Sequence, residues 1–223
     1  MNPNDLSHQY NPLADTFESV QEEGNRVSRG AFRKMLPEIK GKDVLDIACG
    51  EGTDCAFYLE GGAKSVAGID ASKELIEKGK KKYPGIDFQE GLFEKIPFRD
   101  EVFDFVFSKY ALMTSADLEP IFNEVHRVLK SGGEFVFLVT HPIRQFYEKK
   151  KEGKDYFKKE IVESVCFDGA LTFREPTHTL QEYFSPFMLN NFTLLAYDEQ
   201  FDPAAEKIVD VYPSFMTLRW VKK

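Results

Sequence analysis

The sequence is short of cysteine, of positive charge and of long apolar runs, and each shortage removes a class of function. Its three cysteines, Cys49, Cys55 and Cys166, are odd in number and lack the paired spacing of a metal-binding motif. They read as reduced thiols, so neither a disulfide nor a metal site is expected. Lysine and arginine number 29 against 37 acidic residues, for a formal charge of −8 and a pI of about 5.2. Such a surface repels phosphate backbones and anionic headgroups, which argues against nucleic-acid and membrane partners. No stretch approaches the roughly 20 apolar residues of a bilayer span. The opening segment, MNPNDLSHQYNPLADTF, has neither the basic flank nor the apolar run of a secretion signal, and a cytoplasmic location is expected.

What is present is a chain of 223 residues, 42% hydrophobic, enough to bury a sizeable core. Leu13, Phe17, Val20, Val27, Phe32 and Leu36 recur at roughly helical intervals with a break near Gly24, which predicts an N-terminal helical cap. From Asp43 the texture changes. DVLDIA (43–48), SVAGID (65–70), IDFQEG (86–91) and VFDFVFS (102–108) are short apolar runs that alternate with helical stretches. That alternation implies crossover connections and a parallel sheet. Over 117–129, Leu118, Ile121, Phe122, Val125, Val128 and Leu129 share a helical face, and Ser131-Gly132-Gly133 is expected to end that helix before an apolar strand at 134–140. Beyond Pro142 the pattern loosens into a charged helix or flap. Asp168-Gly169 marks a hairpin turn, a helix is expected near 179–190, and strands follow at 193–200 and 214–223.

The densest chemistry lies in Val44-Leu45-Asp46-Ile47-Ala48-Cys49-Gly50-Glu51-Gly52-Thr53. A strand that ends in Asp-x-x-x-Gly-x-Gly and turns into a helix clears side chains from the backbone and offers free N–H groups to a ligand. A pyrophosphate fingerprint would need a third glycine, and Cys55 stands there. The charge of Asp46 favours a cation over a pyrophosphate, so an amino-acid ammonium and a sulfonium are better tenants. Asp70 closes the second strand, where its carboxylate can accept from both hydroxyls of a ribose. Singly, these acids are ordinary helix caps and these glycines an ordinary turn. Together, in this strand context, they describe a nucleoside site.

VLDIACGEGTD, the acid of AGID, IPFRDEVFDFVFSKYAL and HRVLKSGGEF occur in one order, and over residues 40–141 the sequence resembles the class I S-adenosylmethionine-dependent methyltransferases, within the group that methylates small molecules. The resemblance implies an α/β fold: a Rossmann-like, seven-stranded, mostly parallel sheet with a reversed last strand and helices on both faces. It also implies S-adenosylmethionine as cofactor and no metal. A single domain over 1–223 is expected, with a helical cap (1–40), a cofactor-binding core (41–141), an insertion or lid after the fifth strand (142–192) and C-terminal strands (193–223). Carried across by position, Asp46 and the loop Ala48, Cys49, Gly50 and Gly52 resemble the holder of the methionine part. Asp70 resembles the ribose ligand, and Ala71 and Ser72 would line the adenine. The family often places an aspartate after the glycine of the third strand; here Gly91 is followed by Leu92, which leaves the adenine to the Phe93 backbone and to apolar contact. Ser108, Lys109 and Tyr110 match the segment that faces the methionine amine and the methyl group. Ser108-Lys109-Tyr110-Ala111 also stands where enzymes acting on DNA bases or glutamine typically carry Asn-Pro-Pro-Tyr, which points away from macromolecular substrates.

Methyl transfer is an in-line displacement that positioning and desolvation can largely accelerate. A base is needed only if the acceptor must lose a proton. His141, directly after the fifth strand, and Tyr110 are the catalytic candidates, although His141 could instead cap the turn before Pro142. Tyr10, Tyr110, His141 and His178 are the candidates for acceptor binding. His126 is expected to be solvated, and the Tyr147–Lys151 run to be a charged surface face. The nature of the acceptor atom stays open, as does the choice between monomer and homodimer. Two other readings compete: a nicotinamide-dependent oxidoreductase on a related sheet, and a non-catalytic domain that binds S-adenosylmethionine.

Overall fold

The computed structural model describes residues 9, 26–150, 153, 155–166, 171–201 and 212–223. The first half of the expected cap, Tyr10 and the Asp168-Gly169 turn lie outside the described residues. Nine strands are described: β1 (Asp43–Ile47), β2 (Ser65–Asp70), β3 (Asp87–Glu90), β4 (Phe103–Lys109), β5 (Leu129–Thr140), β6 (Ile161–Cys166), β7 (Leu171–Pro176), β8 (Phe192–Gln200) and β9 (Phe215–Lys222). Seven form one sheet in the order β3-β2-β1-β4-β5-β9-β8, while β6 and β7 form a separate antiparallel hairpin. Pairings from β3 across to β5 are parallel; β9 runs antiparallel to both of its neighbours, so it alone is reversed in the large sheet. Strand order reverses between β1 and β4, and the carboxyl edge at such a point opens a crevice for a ligand.

Four helices cover the sheet: α1 (Arg26–Met35), α2 (Thr53–Glu60), α3 (Lys73–Lys82) and α4 (Glu119–Val128). Alternation along β5 sends Phe135 and Phe137 to one core and Val136 and Leu138 to the other. The first core gathers Leu45, Ile47 and Ile69 with Ile121, Phe122, Val125 and Val128 of α4. The second packs Val44, Val66 and Phe107 against Phe32 of α1 and Tyr58 of α2. Ser72 starts α3 by accepting from the Leu75 N–H at 3.3 Å, and Lys80, Lys81 and Lys82 meet the negative end of that helix.

Three local expectations are corrected. Helix α4 hands over to β5 at Leu129, and Ser131-Gly132-Gly133 lies inside the strand, where left-handed Gly132 accompanies a register shift against β4 between Phe103 and Phe105. The glycines make an irregularity in a strand, not a loop. The helix expected near 179–190 is two, α6 (Leu180–Tyr183) and α7 (Pro186–Asn191), since Pro186 has no N–H to continue the first. Before them, α5 (Pro142–Arg144) runs on into a wider π turn over Gln145–Lys149. His126 is half-buried, edge-on to Phe187 and Phe192 at 6.0 and 5.5 Å, and burial pushes its pKa down.

At the edge opposite the crevice, Lys130 Nζ donates to Asp43 Oδ2 at 2.9 Å and Asp104 Oδ2 at 3.0 Å. The Lys130 hydrogen bond, opposed by burial and helped by Ser65 and Lys64, holds Asp43 at about 2. A depressed carboxyl stabilises the fold above its unfolded pKa near 3.8 and loses that contribution as pH falls through about 2. Lys130→Met is therefore expected to cost about 1–2 kcal/mol at neutral pH. In urea titrations its deficit should shrink across that acid window; a deficit independent of pH would show that lost packing is responsible.

Candidate active site

Beyond β1 the chain passes through three left-handed residues, Ala48 (φ 57°), Gly50 (φ 59°) and Gly52 (φ 88°). Ala48 carries the strain of about 1 kcal/mol that a side chain meets there, and such strain gathers at functional turns. A Cβ on Gly50 would meet nothing within 4 Å, so the backbone there faces open space. Asp70 reaches across from β2: its Oδ2 accepts from Gly50 N and its Oδ1 from Ser72 N, both at 2.8 Å. Burial raises Asp70 and these two N–H groups pull it back, though the net direction remains upward. Each oxygen still has a lone pair for a further donor.

Asp46 lies beneath the turn, 5% exposed. Burial first, then the charge of Asp54, pushes it well above the usual carboxylate range, against the pull of Lys109. Lys109 itself is tied to Asp54, on the first turn of α2. Two carboxylates with one neighbouring ammonium make a berth that a cationic group would relieve. Cys49 and Cys55 wall the same place, and burial raises the Cys49 thiol to about 11, so it is no nucleophile near neutral pH. Ser108 Oγ donates to Ile47 O at 3.2 Å and braces β4 against β1. Tyr110 is left-handed (φ 54°), its N–H held by Leu138 O at 2.7 Å, and its ring packs against both cores.

On the nucleoside side, Gly91 N donates to Asp70 O at 3.0 Å, Leu92 is 43% exposed and Phe93 leans on the first core. Ala71 is half-buried. The Ser72 hydroxyl is fully buried as the cap of α3, so what it offers outward is backbone. The structure thus gathers Asp46, 48–52, 70–72, 91–93 and 108–110 along one sheet edge.

The two histidines differ. His141 is fully buried; its Nδ1 accepts from Ile143 N at 3.1 Å and its Nε2 faces Glu199 Oε2 at 3.1 Å. Because a carboxylate only accepts, Nε2 carries the proton and both nitrogens are engaged. That is the turn-capping use, and burial, outweighing Glu199, lowers its pKa. His178 is buried; its backbone N–H donates to Gln145 Oε1 at 3.0 Å and its Nδ1 meets Glu182 Oε1 at 3.3 Å. The sequence reading missed Asp54, Glu175 and Glu182. Only Glu182 left a local signal, the capping box Thr179-x-x-Glu182.

Residues 45–137 match the family described as Methyltransferase domain. An uncharacterised methyltransferase of Synechocystis is 40% identical over 103 residues, which cover 45% of this chain and 48% of the relative. The demethylmenaquinone methyltransferase of Chlorobaculum parvum is 37% identical over 146 residues, covering 64% of this chain and 60% of the relative. The chain thus spans about half to three fifths of the length of these curated relatives. A solved structure from Listeria monocytogenes, assigned as an S-adenosylmethionine-dependent methyltransferase, superposes with a TM-score of 0.72 at 28% identity, covering 87% of this chain and 97% of that one. The strand order, the acid-flanked turn and these likenesses agree: residues 45–137 match a methyltransferase domain, and the described residues have the Rossmann-like fold of the S-adenosylmethionine-dependent methyltransferases.

Proposed function

We propose that the protein catalyses transfer of the methyl group of S-adenosylmethionine to a small-molecule acceptor. The observation that carries this is the convergence of Asp46 and Asp70 on an open left-handed turn at the β1/β4 switch. When bound, the cofactor supplies a methyl carbon made electrophilic by a positive sulfur. Asp70 would take the ribose hydroxyls with its remaining lone pairs. Asp46 and the 48–52 backbone would hold the aminoacyl end, and Leu92 and Phe93 would flank the adenine beside Ala71 and the Ser72 backbone. Ser108, Lys109 and Tyr110 would form the wall toward the methyl. We place His141 as a positioning residue, because a base needs a free lone pair and both of its nitrogens are taken. The Chlorobaculum relative is named for demethylmenaquinone, which supports a small acceptor.

Calorimetry with adenosylhomocysteine, the demethylated product, tests this reading. Heat of binding is expected with adenosylhomocysteine and none with NAD. An ammonium placed beside Asp46 lowers a pKa that burial has raised, so binding should release protons, seen as an apparent enthalpy that varies with the ionisation enthalpy of the buffer. A flat adenosylhomocysteine titration overturns the assignment.

A further inference from the structure

Among the enclosed polar atoms with no hydrogen-bond partner among the described residues are Glu175 Oε2, His178 Nε2 and Tyr183 Oη, all from the segment after β5. The residues that carry them are 0%, 3% and 0% exposed. Buried polar groups without partners are uncommon, and three together call for a common use. They are neighbours: the His178 and Tyr183 rings lie 5.6 Å apart, and burial and then the charge of Glu175 keep the Tyr183 hydroxyl protonated.

The surroundings fix what each atom can do. Glu175 Oε1 is fully used, receiving Lys149 Nζ at 2.6 Å, Ser164 Oγ at 2.7 Å and Gln145 Nε2 at 3.3 Å, which leaves Oε2 as a bare acceptor. Glu182 is held at about 2: burial raises it, but His178, Lys159 and the Thr179 N–H together outweigh that. An ionised carboxylate can only accept, so His178 Nδ1 carries the ring hydrogen and Nε2 presents a lone pair. The carboxylate–imidazole pair is the arrangement that orients a general base. The inventory is therefore two acceptors and one hydroxyl, which suits a ligand that brings hydrogens of its own.

The cluster also adjoins the crevice. Strand β7, which carries Glu175, packs on the short 3₁₀ turn Leu112–Thr114 that follows Tyr110. The Tyr183 ring sits 6.0 Å from that of Phe137, whose partner across the ladder is Ser108.

We infer that Glu175, His178 and Tyr183 form the subsite for a protic head, O–H or N–H, of the methyl acceptor, and that His178 Nε2 receives its proton. From a hydroxyl or an ammonium head, an O–H or N⁺–H bond breaks, its hydrogen passes to Nε2 as a proton, and its electron pair stays on the acceptor as the attacking pair; a neutral amine attacks with its own lone pair and gives up its proton to Nε2 as the new N–C bond forms. Glu182 balances the imidazolium that results. The assignment rests on the methyl-transfer reading above and adds the chemistry of the acceptor to it.

Nitrogen-15 NMR of histidine-labelled protein, without cofactor, tests it. The His178 signals, identified by their loss in His178→Gln, should show a protonated Nδ1 and an unprotonated Nε2, and Glu182→Gln should shift the balance toward protonated Nε2. Phenol and benzylamine at millimolar concentrations serve as protic probes, and anisole as the matched aprotic one. A shift of the Nε2 resonance with phenol or benzylamine, absent with anisole and reduced several-fold in Tyr183→Phe, supports the subsite, and the more effective probe indicates oxygen or nitrogen. An Nε2–H tautomer in the native protein, no shift with either protic probe, or an equal shift with anisole overturns it. Adenosylhomocysteine affinity is measured on the same samples: if the native chain fails to bind it, the methyl-transfer reading falls whatever the probes do, whereas normal binding with silent probes removes only the subsite.

Discussion

Asp70→Ala is expected to weaken adenosylhomocysteine binding by about 100-fold, roughly 3 kcal/mol, with a smaller loss of thermal stability. The effect should exceed that of an ordinary ribose ligand because this carboxylate has two tasks. Besides its free lone pairs, it takes the Gly50 and Ser72 N–H groups at 2.8 Å each, and so fixes the open turn against the start of α3. Removing it strands the buried Ser72 N–H and the half-buried Gly50 N–H, and releases the loop that forms the other half of the site. Asp70→Asn is informative as well, because an amide presents one acceptor and one donor and must turn a hydrogen toward one of those N–H groups. Its affinity should fall nearly as far as that of the alanine variant. Calorimetry reads both, and a loss below about threefold would remove Asp70 from the nucleoside site.

Gly52→Ala is expected to cost about 3 kcal/mol of stability and to abolish detectable adenosylhomocysteine binding. Two penalties add. At φ 88° any Cβ strains the backbone, and here it would stand 2.2 Å from Phe88 Cζ and 2.5 Å from Cε1. The ring has nowhere to go, since it already lies within 3.0 Å of where a Gly68 Cβ would sit and within 3.2 Å of where a Gly79 Cβ would sit. Three glycines from three elements thus close around one aromatic side chain, and the bend of the turn depends on that fit. Phe88→Ala added to Gly52→Ala should relieve the clash, making the double variant more stable than the sum of the two losses predicts. Strict additivity in urea melts would show that the ring and the turn are energetically separate.

Much of this was legible in the chain because the signals are local. Apolar runs over 43–48, 65–70 and 102–108 predicted β1, β2 and β4 at nearly their observed limits, and the run over 134–140 predicted the second part of β5. The Asp46–Gly52 turn and Asp70 announced themselves by spacing, and the structure places them together. What stayed hidden depends on partners far along the chain. His141 looked like a base since it follows a strand at the carboxyl edge, and nothing near it in sequence reveals that Glu199 closes its second nitrogen. His178 was legible only as a candidate for acceptor binding; that Glu182 orients its imidazole, while Gln145 takes its backbone N–H, shows only in the fold. Gly132 and Gly133 carried a stop signal that pairing with β4 overrode, an instance of tertiary context outweighing local propensity.

The placement of β9 between β5 and β8 has a bearing on how the protein is made. Strand β8 is synthesised earlier, but among the described residues its ladder partner is β9 alone, so it has no described strand to dock on until Phe215–Lys222 has left the ribosome. For that interval the outer rim of β5, apolar from Phe135 to Val139, stands open as a template for pairing with other nascent chains. Expression yield should therefore respond to chaperone supply and translation rate more than the stability of the finished fold would suggest.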